Sequence, residues 1–385
     1  MSRSRRSFIR AVQWPVHLAA LLGGIFLTVP PARGSPLTNV QTVFVIVMEN
    51  QNWARILGDT NCPFINNTLL PRASRAEAYF TPTNVHPSEP NYLWLEAGNN
   101  FGILDDGLPP VNHVSSTNHL VTLLEARGIS WKSYQESYVA GDNPLTNNYP
   151  YTPRHNPFVF FDDVATNQAR LTNHVRPYSE LESDFQARTV ARYNFIAPNL
   201  TNDMHDPLGM GPLQHRQGDD WLAREVPKIL ASEAYTNNGA LFVLWDEGDD
   251  NVNDGPIGLM LVSPLAKGRG YANHIYYTHS SLLRTLQEIF DVGPLLGDAA
   301  WAADLWDLFT DDRLSFAPPL SLTDGVPQLT LIGLSTGKTH VVEISSNLFD
   351  WRPLQTNLAT TNSISLADPT ATNGNRRFYR AVEYR

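Results

Sequence analysis

Two apolar, β-branched runs end directly in oxygen ligands. Val43–Met48 reads VFVIVM and runs into Glu49-Asn50; Ala240–Trp245 reads ALFVLW and runs into Asp246-Glu247. Unbroken runs of this kind mark strands buried on both faces. In open α/β sheets the ligand site lies beyond the carboxyl ends of such strands. Glu49, Asn50, Asp246 and Glu247 are four hard oxygen donors, which suit a divalent cation such as Mg, Mn, Ca or Zn. An acidic pair after one strand is most often a solvated loop. The same arrangement after two strands makes a shared cation as good a reading.

Between the two pairs lies His86-Pro87-Ser88-Glu89-Pro90-Asn91-Tyr92. A serine hydroxyl is a weak nucleophile at neutral pH and needs a base or a metal to act. A helix starting near Glu89 puts Ser88 where backbone N–H groups and the helix dipole attract a phosphate, with Asn91 facing the same anion. The plainer reading makes Ser88 an N-cap and nothing more. Three further segments carry histidines: Asn202–Asp206 (NDMHD), Tyr277–Ser281 (YTHSS) and Arg154–Phe158 (RHNPF). Each histidine is a candidate metal ligand, general acid or phosphate donor. Asp203 with His205 is the better pair, because both follow the strand-like NFIAP; His17, His174, His215, His274 and His340 read as surface or satisfied core residues.

Positioning these groups requires a sheet. Asn194–Ala197 and Ile257–Val262 resemble the first two runs, and helical stretches lie at His119–Arg127, Asp219–Glu233 and His279–Phe290. Alternating strands and helices predict an α/β fold, a mostly parallel central sheet covered on both faces. After Pro318-Pro319 the pattern changes to short β-rich runs, Leu329–Leu334, His340–Ser345, Ser363–Leu366 and Arg377–Val382, separated by turn residues. The expected division is residues 1–34, a leader; 35–317, the α/β domain; and 318–385, a linker with a small all-β module.

The leader carries Arg3, Arg5, Arg6 and Arg10, an apolar run from Val16 to Val29, then Ala32 and Gly34 before Ser35, the plan of a cleaved export signal. The apolar run is shorter than the ~20 residues that span a bilayer as a helix, so no stable membrane span is expected after cleavage; an uncleaved anchor is the alternative. Ser4–Arg10 (SRRSFIR) resembles a twin-arginine signal, and an ordinary arginine pair is its alternative. The chain has 28 Lys+Arg against 38 Asp+Glu, net −10. Removal of the five arginines before residue 35 leaves 23 against 38, or −15, which argues against nucleic acid as a partner. Cys62 is the single cysteine, so no intramolecular disulfide forms; with an export signal this fits a periplasmic, extracellular or cell-surface protein better than a small stapled secreted domain.

The ordered segments VFVIVMENQNW, HPSEPNYLWLEAGN, SWKSYQE, RHNPFVFF, NDMHD, GDDWL, LFVLWDEGDD, GPIGLMLVSPLAKG and YYTHSSLLRTLQEIF resemble the bacterial phosphoesterase family that contains acid phosphatases and non-haemolytic phospholipases C, within the alkaline phosphatase superfamily. The resemblance implies an alkaline-phosphatase-like helix–sheet–helix sandwich. It also implies a divalent ion at Glu49, Asn50, Asp246 and Glu247, with Asp203, His205 and His279 across the phosphate pocket holding a second ion or donating hydrogen bonds, and Ser88 as a nucleophile that passes through a phosphoserine. Asn91, His86, His155 and Asp203 are then expected on the substrate side, and His279 or His205 as the acid that protonates the leaving group, giving a mildly acidic optimum. The implied substrate is a small-molecule or lipid-headgroup phosphate ester, monoester or diester. A sulfatase is disfavoured, since no Cys-x-Pro-x-Arg motif surrounds Cys62. A non-catalytic exported protein binding a phosphate-bearing ligand or a surface glycan on the same scaffold is the second function class. The tail, with ISSNLFDWRPLQTN and NRRFYRAVEY, resembles small C-terminal β domains of secreted bacterial proteins, which implies attachment to a cell surface or glycan; Trp351, Phe378 and Tyr379 are candidates for a binding face or, more simply, for its core.

Overall fold

Every residue of Thr42–Met48 is buried, which places that strand at the centre of a covered sheet. The structure is a computed structural model describing residues 5–10, 39–82, 85–205, 213–249, 254–310, 314–334, 337–361, 363–371 and 376–384. It divides into two compact units, one of residues 36–310 and one of residues 1–35 with 311–385.

The larger unit is built on an eight-stranded sheet: β1 (Thr42–Met48), β2 (Ser74–Ala76), β3 (Trp131–Gln135), β4 (Val175–Pro177), β5 (Tyr193–Ala197), β6 (Gly239–Trp245), β7 (Leu259–Val262) and β8 (Tyr271–Asn273). Their spatial order is β8-β2-β7-β6-β1-β5-β3-β4. β1 runs parallel to both β5 and β6, and β3 is parallel to β4 and β5. The expected mostly parallel sheet is therefore present, with one departure. β7, the expected strand Ile257–Val262, runs antiparallel to β6 and to β2. A direct connection from β6 to its antiparallel neighbour needs no crossover helix, unlike a parallel return.

Four helices matter for the site: α1 (Ser88–Ala97), α2 (Leu120–Ala126), α3 (Leu213–Ala231) and α4 (His279–Phe290). α1 is buried on nearly every side. Its end is set by Gly98 at φ 65°, where a Cβ would stand 2.8 Å from the Leu296 carbonyl oxygen; only glycine suits both demands. Toward α4, the Trp94 indole donates to Ser280 Oγ at 2.7 Å.

Toward α2, the tie is ionic. His119 is fully buried, with Nδ1 2.9 Å from Glu96 Oε1 and Nε2 3.1 Å from Asp163 Oδ1, and its ring stacks on Phe161. Glu96 Oε1 also accepts the Val121 amide at 2.8 Å, and Arg170 holds Asp163 from the other side. One histidine thus joins α1, the start of α2 and the helix carrying Asp163.

In the smaller unit, Arg5–Arg10, Phe378–Tyr384, Thr339–Ser345 and Arg352–Leu358 form one antiparallel sheet. Ser315–Thr323, Val326–Ile332 and Ser363–Ala367 form a second. Both sheets contribute to one core that includes Leu329, Leu331, Val342, Ile344 and Tyr379. Tyr379 lies in that core with its hydroxyl on Asp368, whereas Trp351 is half-buried outside it, under the Arg380 guanidinium. Arg5–Arg10, expected within the leader, is an edge strand against Phe378–Tyr384; the apolar run Val16–Val29 falls outside the described residues. Among the described residues, no helix is long and apolar enough to cross a membrane.

The tie at His119 makes stability depend on pH. Burial opposes its charge, yet the hydrogen bonds to Asp163 and Glu96 prevail and raise its pKa above the ordinary histidine value. A raised folded pKa gives stability that is fully present below the unfolded value near 6.5 and is lost as pH rises through the folded value. Thermal melts between about pH 6 and pH 9 should therefore show the wild type losing stability with rising pH. His119→Gln should be weaker by about 3–5 kcal/mol at the acid end and flatter across the range; parallel curves for the two proteins would refute the assignment.

Candidate active site

β1 and β6 run side by side in parallel with Met48 paired to Trp245, so the residues after them leave the same sheet edge together. The Asp246 amide donates to the Met48 carbonyl at 3.0 Å, and the Asn50 amide donates to Asp246 Oδ1 at 3.0 Å. Asn50 Nδ2 reaches Glu247 Oε1 at 2.9 Å. The segment after β5 joins them, as the Glu49 amide donates to the Asp203 carbonyl at 2.8 Å. Glu49, Asp203, Asp246 and Glu247 are all buried.

Ser88 is the first residue of α1, and Pro87 takes the cap position. The hydroxyl does not cap the helix. It lies 3.2 Å from Glu49 Oε2 and 3.4 Å from Glu247 Oε1, which sets aside the plain capping role. One turn on, Asn91 Nδ2 donates to Glu247 Oε2 at 2.9 Å and to the Val85 carbonyl at 3.0 Å.

The four expected histidines occupy different places. His155 is walled in: its Nε2 is 2.7 Å from Glu49 Oε1, its Nδ1 4.0 Å from Asp203 Oδ2, and its ring stacks on Tyr92. It therefore belongs to the buried cluster with Glu49 and Asp203. His86 bridges Glu247 Oε2 at 2.8 Å and Asp254 Oδ2 at 2.7 Å. The Asp254 and Glu247 hydrogen bonds push its pKa up to about 10, so it is a cation at neutral pH. His205 has its side chain 42% exposed, with Nδ1 3.5 Å from Glu49 Oε2. His279 opens α4, is fully buried, and has both nitrogens engaged: Nε2 with the Asp246 carbonyl at 2.5 Å and Nδ1 with the Tyr79 hydroxyl at 3.1 Å. Burial pushes its pKa down to about 4.

The charges are arranged for a cation. Despite the cost of burial, His155 holds Glu49 well below the usual carboxylate range. Burial, then Glu49 and Glu247, drive Asp246 well above it. A pocket with this many carboxyls cannot keep all of them ionised unaided. Glu49, His155 and Asp203 offer ligand atoms within 4.8 Å of one another. Asn50 Oδ1, Asn91 Oδ1 and Asp246 Oδ2 are buried oxygens with no hydrogen-bond partner among the described residues. Oxygen-rich, imidazole-containing and short of donors, the residues fit a divalent cation.

Some of the surroundings carried no signal of their own. Gln51, His215, Tyr79 and Asp254 touch site residues or residues bonded to them. Gln51 alone was within reach of pattern reading, as the residue after Glu49-Asn50. His215 lies on α3 just before the GDDWL segment, outside every motif quoted.

The model of the phosphoesterase family matches residues 73–293. A Mycobacterium tuberculosis protein named phosphatidylinositol-3-phosphatase is 32% identical over 81% of this chain and 98% of its own length. A Kluyveromyces lactis protein named probable acid phosphatase is 29% identical over 66% of this chain, which spans 59% of that relative. Among solved structures, a Vibrio parahaemolyticus protein in the alkaline phosphatase superfamily matches with a TM-score of 0.52 at 11% identity, over 84% of this chain and 85% of that one. That likeness is one of fold.

If the carboxylate cluster takes a cation, the cation stabilises the folded chain by mass action, by about 2.7 kcal/mol at a hundredfold excess over its dissociation constant. Thermal melts of purified protein with added Mg, Mn, Ca or Zn should rise with concentration for at least one of them. Asp246→Asn should blunt that rise. A midpoint indifferent to all four ions would exclude a cation at this site.

Proposed function

This chain belongs to the phosphoesterase family and is a hydrolase acting on phosphoric ester bonds, and we propose that it is a metal-dependent phosphomonoesterase using Ser88 as its nucleophile. The observation that carries the proposal is the Ser88 hydroxyl, buried at a helix N-terminus within 3.4 Å of two site carboxylates. The N-terminus of α1 favours the substrate's phosphate beside that hydroxyl, and cationic His86 adds charge on the same side. Ser88 Oγ attacks phosphorus in line while Glu49 or Glu247 receives its proton. The ester oxygen leaves as His205, the exposed histidine of the four, supplies a proton; water then gives its proton to His205 as it attacks the phosphoserine, and the protonated carboxyl returns its proton to the departing Ser88 Oγ. A divalent cation held by Glu49, Asp203, Asp246, Glu247 and His155 would supply Lewis-acid stabilisation of charge on the phosphoryl oxygens.

His279 takes a different role from the acid first expected. Its pKa near 4 keeps the ring neutral at neutral pH, its one N–H donated from Nε2 to the Asp246 carbonyl and its other nitrogen facing the Tyr79 hydroxyl. We assign it to bracing the turn that presents Asp246. The names of the relatives, all phosphatases, support a monoester substrate, and a lipid headgroup monoester is included in that class. The arginine-rich start and apolar run support export, with cleavage before Ser35. Cleavage there would remove the strand Arg5–Arg10 and leave Phe378–Tyr384 paired with Thr339–Ser345.

Purified protein should hydrolyse a chromogenic phosphomonoester faster than the matching diester, and a chelator should suppress both. Ser88→Ala should lose turnover by at least about a thousandfold, since it removes the covalent route. His205→Gln should slow turnover by roughly a hundredfold and flatten the fall in rate on the alkaline side. Full turnover by Ser88→Ala would move the nucleophile elsewhere; an unchanged pH profile in His205→Gln would remove His205 as the acid.

A further inference from the structure

Beneath the site, Asp59, Cys62 and His215 bring a carboxylate, a thiol and an imidazole within 4.8 Å of one another. The group resembles a metal cradle, yet its atoms are committed to hydrogen bonds. His215 Nδ1 is 2.6 Å from Asp59 Oδ2, and His215 Nε2 is 2.8 Å from Gln51 Oε1. Cys62 Sγ contacts the His215 carbonyl. The orientation of the Gln51 amide is settled by its other end: Nε2 donates to the Met204 carbonyl at 2.9 Å. Gln51 therefore turns an acceptor toward His215, and His215 Nε2 is the donor. The result is a chain of hydrogen bonds running Asp59, His215, Gln51, Met204.

Met204 is where that chain ends, between Asp203 and His205. It is buried and adopts φ 82°, a conformation in which a side chain is strained and which persists only when surrounding contacts hold it. α3 leaves room for it at Gly218, where a Cβ would stand 2.2 Å from Met204 Cγ. The strained residue sets its neighbours. The Asp203 carbonyl accepts the Glu49 amide at 2.8 Å, and Asp203 Oδ1 accepts the His205 amide at 3.0 Å.

We propose that Asp59, His215 and Gln51 are positioning residues that hold the Met204 turn and, through it, fix the Asp203 carboxylate and the His205 ring at the reacting centre. The roles of Asp203 and His205 rest on the phosphoesterase reading above; the brace itself does not. Outer groups that orient ligands and acids in this way commonly govern activity without touching substrate.

The discriminating variant is Gln51→Glu. It keeps the size of the side chain and an acceptor for His215, but sets a carboxylate oxygen against the Met204 carbonyl. Hydrogen exchange of the metal-free protein and steady-state kinetics are read together, with His215→Gln beside it and Cys62→Ser as control. Gln51→Glu and His215→Gln should speed exchange at the amides of Glu49, Asp203 and His205 while α4 keeps its protection. They should lower kcat on the order of 10- to 100-fold with little change in KM, and Cys62→Ser should match wild type in both. Should Gln51→Glu fail to fold, Gly218→Ala crowds the same turn from the other side and should give the same pair of effects. Wild-type exchange and kcat in Gln51→Glu would overturn the proposal. So would bound zinc that Cys62→Ser and His215→Gln each release, because the cluster would then be a metal site. A wild-type protein that hydrolyses no ester, while Gln51→Glu still loosens these amides, would remove the catalytic reading and leave the brace standing.

Discussion

Four carboxylates share one buried space in this molecule, and most of its local architecture answers the resulting repulsion. Glu49, Asp203, Asp246 and Glu247 emerge from the ends of three neighbouring strands that a parallel sheet necessarily aligns. Water cannot screen charges buried so completely, so counter-groups must come from the protein or from an ion. His155 is stacked on Tyr92 and set against Glu49; His86 bridges Glu247 and Asp254; Asn50 and Asn91 turn their amide nitrogens to Glu247. Asp246 remains the least compensated, raised by burial and by its acidic neighbours. The remaining deficit is what a divalent cation would fill.

The same constraint explains why the helices are pinned so firmly. α1 presents Ser88 and Asn91 to the carboxylates. Its far end is therefore held by Gly98 against Leu296, by Trp94 on α4, and by Glu96 through His119. α4 contributes His279, whose neutral ring bridges Tyr79 and the Asp246 carbonyl. Preorganisation of this kind lets a site act on developing charge without rearranging during reaction.

What pattern alone revealed divides along physical lines. VFVIVM and ALFVLW were legible because burial on both faces leaves no polar position, and the residues after them stand out by contrast. β2 and β8, three residues each, are too short for any period to register, and the antiparallel sense of β7 depends on a tertiary pairing that an apolar run does not encode. Ser88 was recognisable as a residue at a helix start, but its hydroxyl's aim depended on where Glu49 and Glu247 fell. Histidines were the hardest: His155, His205 and His279 look alike in sequence, and only burial and partners separate a buried ring clamped on Glu49, an exposed ring and a buried ring with both nitrogens engaged. His215 read as a surface or satisfied core residue because its place on α3, just before GDDWL, gives no hint of Gln51 and Met204. Arg352–Leu358, almost wholly exposed, has no apolar alternation to reveal it as a strand.

The central claim is covalent passage through Ser88, and trapping the intermediate tests it most directly. Protein turning over a phosphomonoester would be quenched in acid, where phosphoserine survives, digested, and its peptides weighed by mass spectrometry. The account predicts a phosphoryl group on the peptide carrying Ser88, dependent on substrate and absent from Ser88→Ala. A phosphoryl group on any other residue would contradict it, as would turnover by Ser88→Ala with no adduct.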